Sequence, residues 1–378
     1  MTTTLVILSI FLCFFVSPHS SHADDSGYTS IAGPCHPEFP KDHGAHPGYR
    51  TEWWYYTGNV HGESGERFGF QLTFFRRQLS PPGAEKEWPK PGSAWRTQQL
   101  FLAHAALSDI GGKHFYHAEQ MARGALGLAG VRSEAEPQSQ VTVFLKDWAA
   151  RLGPSSQSLE AKTDDFGFSL SLIPGKDPVL HGESGYSLKG RMPESASCYY
   201  SFTRLEVQGD LALKGKTIPV HGTAWMDHEF SSAALEPDLM GWDWLSLQFE
   251  DRTELMIYLL RRKDGTYSTA SAGTFVDASG KITHLDREAI RLEVTDHWKS
   301  PHSRASYPAG WKLRIDSLQL DVAVVPNLED QEMQTQETTD VTYWEGSVTA
   351  KGSVRGKPVS GEGYVELTGY AKPLDAPL

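Results

Sequence analysis

Between Trp225 and Glu229 the chain places an indole, two carboxylates and an imidazole, inside the run His221-Gly222-Thr223-Ala224-Trp225-Met226-Asp227-His228-Glu229-Phe230. On an extended backbone Trp225, Asp227 and Glu229 share one face, and Met226, His228 and Phe230 the other. A carboxylate held against an indole loses hydration, which raises its pKa toward neutrality and makes it a candidate general acid. Asp227 and Glu229 are therefore candidate catalytic residues, with His228 as base or proton relay. The competing reading spends the same carboxylates on backbone amides or on an arginine such as Arg76 or Arg261.

Two further clusters supply walls. In Trp242-Asp243-Trp244-Leu245-Ser246-Leu247-Gln248-Phe249, the residues Trp242, Trp244, Ser246 and Gln248 share a face, two indoles followed by two hydrogen-bonding groups. That is the composition of an apolar pocket with a few orienting polar groups. The following segment, Glu254 to Leu260, sets Met256 and Tyr258 on one face and Leu255, Ile257 and Leu259 on a core face. In Glu52-Trp53-Trp54-Tyr55-Tyr56 both faces are too large for ordinary solvent surface, so one packs in a core and the other lines a cavity or seam.

We assign Trp54 and Tyr56 to the ligand face, with Trp225, Trp242, Trp244, Gln248 and His104. The last is polar in an otherwise small, apolar segment, where a core hydrogen bond is the competing role. If all these aromatics pack solid, the chain is instead a non-catalytic structural envelope protein. The pairs His114/His117 and His43/His46 have no third ligand at a useful spacing, so neither a metal nor a cofactor is expected. Neither a nucleophile elbow, a P-loop nor a dinucleotide fingerprint occurs.

The elements that must hold these groups repeat with period two. Phe68, Phe70, Leu72 and Phe74 alternate with other residues, as do Gln140–Leu145, Phe166–Leu172, Arg204–Leu213, Leu245–Phe249, Glu254–Leu260 and Leu313–Val325. Short turn signals such as Lys214-Gly215-Lys216 and Arg355-Gly356-Lys357 separate them. The pattern predicts an all-β fold of meandering antiparallel sheets, closed or nearly closed into barrels. His117–Leu128 is the best place for a short helix and Arg287–Ile290 for a turn. Residues 81–98 read as a long inter-strand loop and 328–340 as a solvated acidic one. HGESG occurs at 61–65 and again at 181–185, which turn chemistry or two similar barrels would explain.

The 378 residues suffice for two domains. With 35 Lys+Arg against 47 Asp+Glu the net charge is −12, and without a clustered basic footprint nucleic acid is not an expected partner. Leu5–Val16 has the length of a signal-peptide apolar region and Ser21-His22-Ala23 suits a signal peptidase, so residues 1–23 are expected to be a leader and the mature chain periplasmic or secreted. The competing membrane anchor is too short for a span of about 20 residues, and no later segment approaches that length. Of three cysteines Cys13 lies in the leader; Cys35 and Cys198 are either one disulfide, which export favours, or two free thiols.

The strings EWWYYTGNV (52–60), FGFQLTFFRR (68–77), AHAALSD (103–109), GTAWMDHEF (222–230), GWDWLSLQF (241–249), ELMIYLLRRKDG (254–265), YWEGSV (343–348) and GYVELTGY (363–370) resemble the two-domain lipocalin-like family of AttH-type secreted proteins and carotenoid 1,2-hydratases (CrtC-type). The secreted branch fits better. The resemblance implies two lipocalin-like antiparallel β-barrels packed side by side with a site near their interface: an arm at 24–47, an N-terminal domain at 48–229 and a C-terminal domain at 230–374. In the hydratase branch water adds across a carbon–carbon double bond without a redox cofactor, and Asp227, His228 and Tyr258 are the positions carried over. Leu260 and Phe230 depart from that branch, which has aspartate and commonly tryptophan there. The secreted branch also resembles accessory proteins of export-type ABC transporters. The expected function is thus binding of a hydrophobic small molecule, lipid- or isoprenoid-like, beside an ABC permease; the alternative is a cofactor-free hydratase or isomerase.

Overall fold

The computed structural model describes residues 27–134 and 139–374. The expected leader lies outside the described residues. The alternating segments form strands: β1 (Thr51–Gly62), β2 (Arg67–Gln78), β3 (Gln99–Asp109), β4 (His114–Arg123), β5 (Ala129–Ser133), β6 (Val141–Leu145), β7 (Trp148–Leu152), β8 (Gln157–Lys162), β9 (Phe166–Pro174), β10 (Val179–Leu180), β11 (Tyr186–Leu188), β12 (Ala196–Leu213) and β13 (Lys216–Ser231). After a connection at 232–238 come β14 (Leu239–Phe249), β15 (Glu254–Arg262), β16 (Ala272–Val276), β17 (Ile282–Asp286), β18 (Arg291–Lys299), β19 (Ser306–Ile315), β20 (Leu320–Pro326), β21 (Glu332–Thr335), β22 (Val341–Val354) and β23 (Lys357–Leu367).

They build two curled antiparallel sheets in the lipocalin-like manner. The first runs β4-β3-β2-β1-β13-β12-β9-β8-β7-β6-β5, with β10 and β11 added on β12, and it bends until β4 meets β6, a nearly closed barrel. The second, β17-β16-β15-β14-β23-β22-β20-β19-β18 with β21 on β22, is a half-barrel rather than a closed one. Each has its own apolar interior, with Trp54, Tyr56, Phe70 and Phe74 in the first and Leu245, Ile257, Trp311 and Val365 in the second. A third cluster, including Tyr55, Tyr199, Trp225, Trp244, Met256 and Tyr258, is shared between them.

The seam between the sheets is tight and polar. Asn59 Nδ2 donates to Gly363 O at 3.1 Å, and Gln248 Nε2 donates to Thr203 O and Ala224 O at 2.8 and 2.9 Å. Arg204 and Lys176 both reach Glu254, each at 2.6 Å. At Gly69 an added Cβ would lie 2.7 Å from Ser347 Cβ and from the Tyr364 hydroxyl, so only glycine lets β2 approach the second sheet this closely.

Several sequence expectations change. His117–Leu128 is not helical: most of it belongs to β4, an edge strand paired only with β3, whose partial exposure on both faces blurs the period-two pattern. Leu313–Val325 is two strands, broken by a 3-10 turn at Asp316–Leu318. Both HGESG strings belong to the first sheet, one turning β1 into β2 and the other joining β10 to β11, so they do not mark corresponding places in two barrels. The acidic stretch 328–340 is not merely solvated, because it contains β21 and Glu332 is buried, accepting from Ser300 Oγ at 2.6 Å.

Candidate functional site

A cavity of about 530 Å³ lies between the two sheets. Strand register explains its walls. Across the first sheet, Thr73, Tyr55, Asp227 and Ser201 stand opposite one another in one row, and Leu102, Phe75, Trp53, Glu229 and Tyr199 in the next. Across the second sheet, Glu345, Glu366, Trp244 and Tyr258 make one row, beside the pair Trp242 and Leu260. Alternation along each strand turns these rows outward from the barrel interiors, and the seam presses them together. The Tyr55 and Trp244 rings meet edge-on at 5.2 Å.

Asp227 is the most elaborately held polar group. Its Oδ2 accepts from the Tyr199 hydroxyl at 2.8 Å, and its Oδ1 accepts from Trp225 Nε1 at 2.6 Å and from the Ser201 hydroxyl. Trp244 Nε1 in turn donates to the Tyr199 oxygen at 3.1 Å, and His181 Nε2 lies 2.6 Å from Ser201 Oγ. Burial pushes the Asp227 carboxyl up to about 7, against those three donors, with Glu229 adding to the rise. Burial raises Glu366 to about 7 as well, opposed by the Trp242 indole and reinforced by Asp227 and Glu229. Burial and the neighbouring Glu366 hold Glu345 well above the usual carboxylate range. Glu229 is different, since Lys189 Nζ sits 3.0 Å from its Oε1. Burial works against the Lys189 charge, but Glu229, Tyr258 and Asp227 outweigh it and keep its pKa above the ordinary value. The arrangement can offer a proton at neutral pH next to several aromatic faces.

The pattern of the AttH-like family matches residues 31–370. The chain belongs to the AttH-like family. Among solved structures, an AttH protein from Nitrosomonas europaea is 33% identical, with a TM-score of 0.77 over 90% of this chain and 99% of that one. Kievitone hydratase from Nectria haematococca is 16% identical, TM-score 0.64, covering 93% of this chain and 98% of the enzyme. CghA with Sch210972 is 12% identical, TM-score 0.55, covering 92% and 98%. At these lower identities the likeness is one of fold. No curated protein sequence matches the chain.

In this AttH-like chain Asp227, Glu229, Tyr258, Trp242 and Trp244 line the cavity together. Trp225 and His104 stand one layer behind: Trp225 holds Asp227, and His104 Nδ1 lies 2.9 Å from the Tyr343 hydroxyl with its Nε2 2.9 Å from Thr338 Oγ1. Gln248 belongs to the inter-sheet seam. Trp54 and Tyr56 point the other way, into the first barrel, where Trp54 Nε1 donates to His43 O at 2.9 Å and the Tyr56 hydroxyl to Gln157 Oε1 at 2.8 Å. Trp53 and Tyr55 take the wall instead, because β1 presents two aromatic faces and sequence alternation cannot say which of them meets a second sheet.

His228 is also turned away from the cavity. Its Nε2 donates to Glu52 Oε1 at 2.9 Å and its Nδ1 accepts from the Tyr200 hydroxyl at 2.9 Å, the tautomer that an acceptor-only carboxylate requires. His46 Nδ1 lies 2.7 Å from the same Glu52 oxygen, while Arg76 Nε donates to Oε2 at 2.7 Å. Folding thus brings His46, Glu52 and His228 within 4.8 Å, a metal-like grouping invisible in the spacing of the sequence. Its lone pairs are matched internally and Arg76 supplies the positive charge, so the geometry is that of a buried ion-pair cluster that seats the N-terminal arm. Burial works to lower the His46 pKa, but Asp42 and Glu52 outweigh it and hold it up at about 9. The arm is further tied by the Cys35–Cys198 disulfide, with Cα atoms 6.0 Å apart.

The groups that sequence reasoning missed are Trp53, Tyr55, Lys189, Tyr199, Tyr343, Glu345 and Glu366. A glutamate in each of the strings YWEGSV and GYVELTGY was the available signal for Glu345 and Glu366. Thr338, Thr339 and Asp340 of the acidic stretch also reach the cavity wall.

Proposed function

We propose that this AttH-like protein binds an apolar, lipid- or isoprenoid-like molecule in the cavity between its barrels. One observation carries the reading: a space of about 530 Å³ walled by Trp53, Tyr55, Trp242, Trp244 and Tyr258, with a few polar groups converging on it. An environment-sensitive apolar dye should bind the full chain and be displaced by the natural ligand. A chain that leaves the dye's emission unchanged would count against the reading.

A second reading is favoured by Asp227, whose carboxyl faces those rings and titrates near neutrality. It makes the protein a hydro-lyase or isomerase. Protonated Asp227 would give its proton to one alkene carbon and leave a cation on the other, faced by aromatic rings. Water adding to that cation would return a proton to a carboxylate, completing a hydration; loss of a neighbouring C–H proton instead would complete an isomerisation. Turnover in deuterium oxide should place deuterium on carbon, and Asp227→Asn should abolish it while retaining dye binding. Undiminished incorporation in that variant would eliminate the acid role.

Export of the protein is part of the same proposal, supported by the Cys35–Cys198 pairing, which an oxidising compartment favours. Service to an ABC-type exporter rests on the family resemblance. Among the described residues no helix is long and apolar enough to cross a membrane.

A further inference from the structure

The wall of the cavity does not stop at its mouth. Phe75 of β2 stands opposite Leu102 of β3, and Leu102 opposite Met121 of β4; in the next row Arg77 stands opposite Leu100, and Leu100 opposite Arg123. Residues directly opposite one another share a face of the sheet. Phe75, Leu102, Arg77 and Leu100 line the cavity, whereas Met121 and Arg123 lie beyond it on the exposed edge strand. Two rows therefore run from the cavity out to the open edge of the first sheet.

The loop at 79–98 is folded onto that edge. Leu79 N donates to Gln98 O at 2.7 Å, Thr97 Oγ1 to Gly124 O at 3.0 Å and Arg123 Nη1 to Trp95 O at 3.5 Å. The rim so formed carries Leu79, Trp95 and Met121, which are 55%, 56% and 44% exposed. Large apolar side chains gathered around the mouth of an apolar cavity mark a surface that meets something apolar.

The charge of this rim is opposite to that of the whole chain. Against a net −12, it holds Arg77, Arg96 and Arg123. Among the described residues neither Arg96 nor Arg123 pairs with a carboxylate: besides the Arg123 contact above, Arg96 Nη1 donates to Pro89 O at 2.7 Å, and its guanidinium lies 5.2 Å from the centre of the Trp88 ring. The nearby acids are accounted for. Glu85 and Glu87 of the loop are balanced in number by Lys86 and Lys90, Glu119 accepts from Glu337 N and the Thr338 hydroxyl, and Asp340 pairs with Lys372. An indole and aliphatic chains beside arginines without counter-charges suit the level at which a bilayer passes from phosphate to hydrocarbon.

We propose that the mouth of the cavity docks on an anionic phospholipid bilayer, with Leu79, Trp95 and Met121 entering the headgroup region and Arg96 and Arg123 meeting phosphates. The apolar ligand then passes between membrane and cavity along the two rows. The proposal rests on the binding reading above and names where the ligand is drawn from or delivered. A bilayer fits this rim better than a protein partner does. Three apolar side chains interspersed with arginines fall short of the apolar core of a stable protein interface, which takes about 20–30 residues a side. Attachment to a bilayer needs only shallow apolar insertion together with charge attraction.

The test is flotation of the full chain with vesicles of phosphatidylcholine alone and of phosphatidylcholine mixed with an equal part of phosphatidylglycerol. The chain should float with the mixed vesicles, and added salt should weaken the attachment. Arg96→Gln combined with Arg123→Gln should weaken partitioning about 25-fold, two charges at about fivefold each. Trp95→Ser combined with Met121→Ser should weaken it by about tenfold or more. All four positions lie outside the cavity, so both variants should keep the parent's affinity for an apolar dye and its unfolding midpoint. Release of the dye from loaded protein should quicken in proportion to mixed-vesicle concentration, as transfer by collision requires. Equal partitioning of parent and variants, or release that ignores vesicle concentration, overturns the proposal. Failure to float while the dye still binds also overturns it, leaving the binding reading standing and the rim to a protein partner. Failure to bind the dye overturns the binding reading whatever the vesicles show.

Discussion

Asp227 should make the protein less stable as pH rises, and replacing it with asparagine should remove that contribution. In the folded chain its pKa is about 7 against an ordinary value of 3.8. The native state therefore holds this proton more tightly than the unfolded state does. Between about pH 4 and pH 7 the unfolded chain binds fewer protons, so the free energy of unfolding falls as pH rises. A displacement of about three pH units corresponds to about 4 kcal/mol above pH 7. Asparagine keeps Oδ1 for the donors Trp225 and Ser201 and carries no charge. Asp227→Asn should therefore match the parent near pH 4 and exceed its stability by up to about 4 kcal/mol at pH 8. Glu366 shares the cavity and titrates in the same range, so the variant itself will retain some pH slope. Urea unfolding at both pH values, with the disulfide intact and far-UV circular dichroism as the signal, measures the difference directly. A variant less stable than the parent at pH 8, or a difference that does not change with pH, would refute the reasoning.

Four other perturbations separate the cavity from the scaffold. Glu52→Gln leaves the fully buried Arg76 without its counter-charge, and urea unfolding should show a loss of about 3–5 kcal/mol. On neighbouring positions of β1, Trp54→Ala should cost about 3–5 kcal/mol of stability because it opens a hole in the first barrel. Trp53→Ala should instead weaken binding of an apolar dye with a much smaller change in the unfolding midpoint, and equal effects on both quantities would contradict the assignment of the two faces. Removing the disulfide by Cys35→Ser with Cys198→Ser frees a 163-residue separation and should lower stability by about 2–5 kcal/mol, checked by the same unfolding curves.

The strands and the three aromatic clusters were legible because in β2, β13 and β15, though both faces are buried, one face enters a barrel interior and the other meets the seam and cavity, so residue types still alternate with period two. Alternation also separated Asp227 and Glu229 from His228 correctly. It could not reveal which face of β1 meets the second sheet, since Trp53 and Tyr55 are as bulky as Trp54 and Tyr56. Nor could it reveal partners set by register: Glu345 lies opposite Glu366, and Asp227 beside Tyr55, only because of how β22, β23, β1 and β13 align. The cluster of His46, Glu52 and His228 depends on an arm that crosses back over the barrel, a contact no local spacing encodes. Edge strand β4 was misread for the opposite reason, its exposure on both faces removing the very signal that marks a strand.

The central claim is that the space between the barrels is a ligand site. Mass spectrometry of organic extracts tests it most directly, comparing natively purified protein with a Leu102→Trp variant that fills the cavity wall. The account predicts an apolar compound, near one per chain, in the parent and its loss from the filled variant. No apolar compound in the parent, or equal amounts in both, would contradict it.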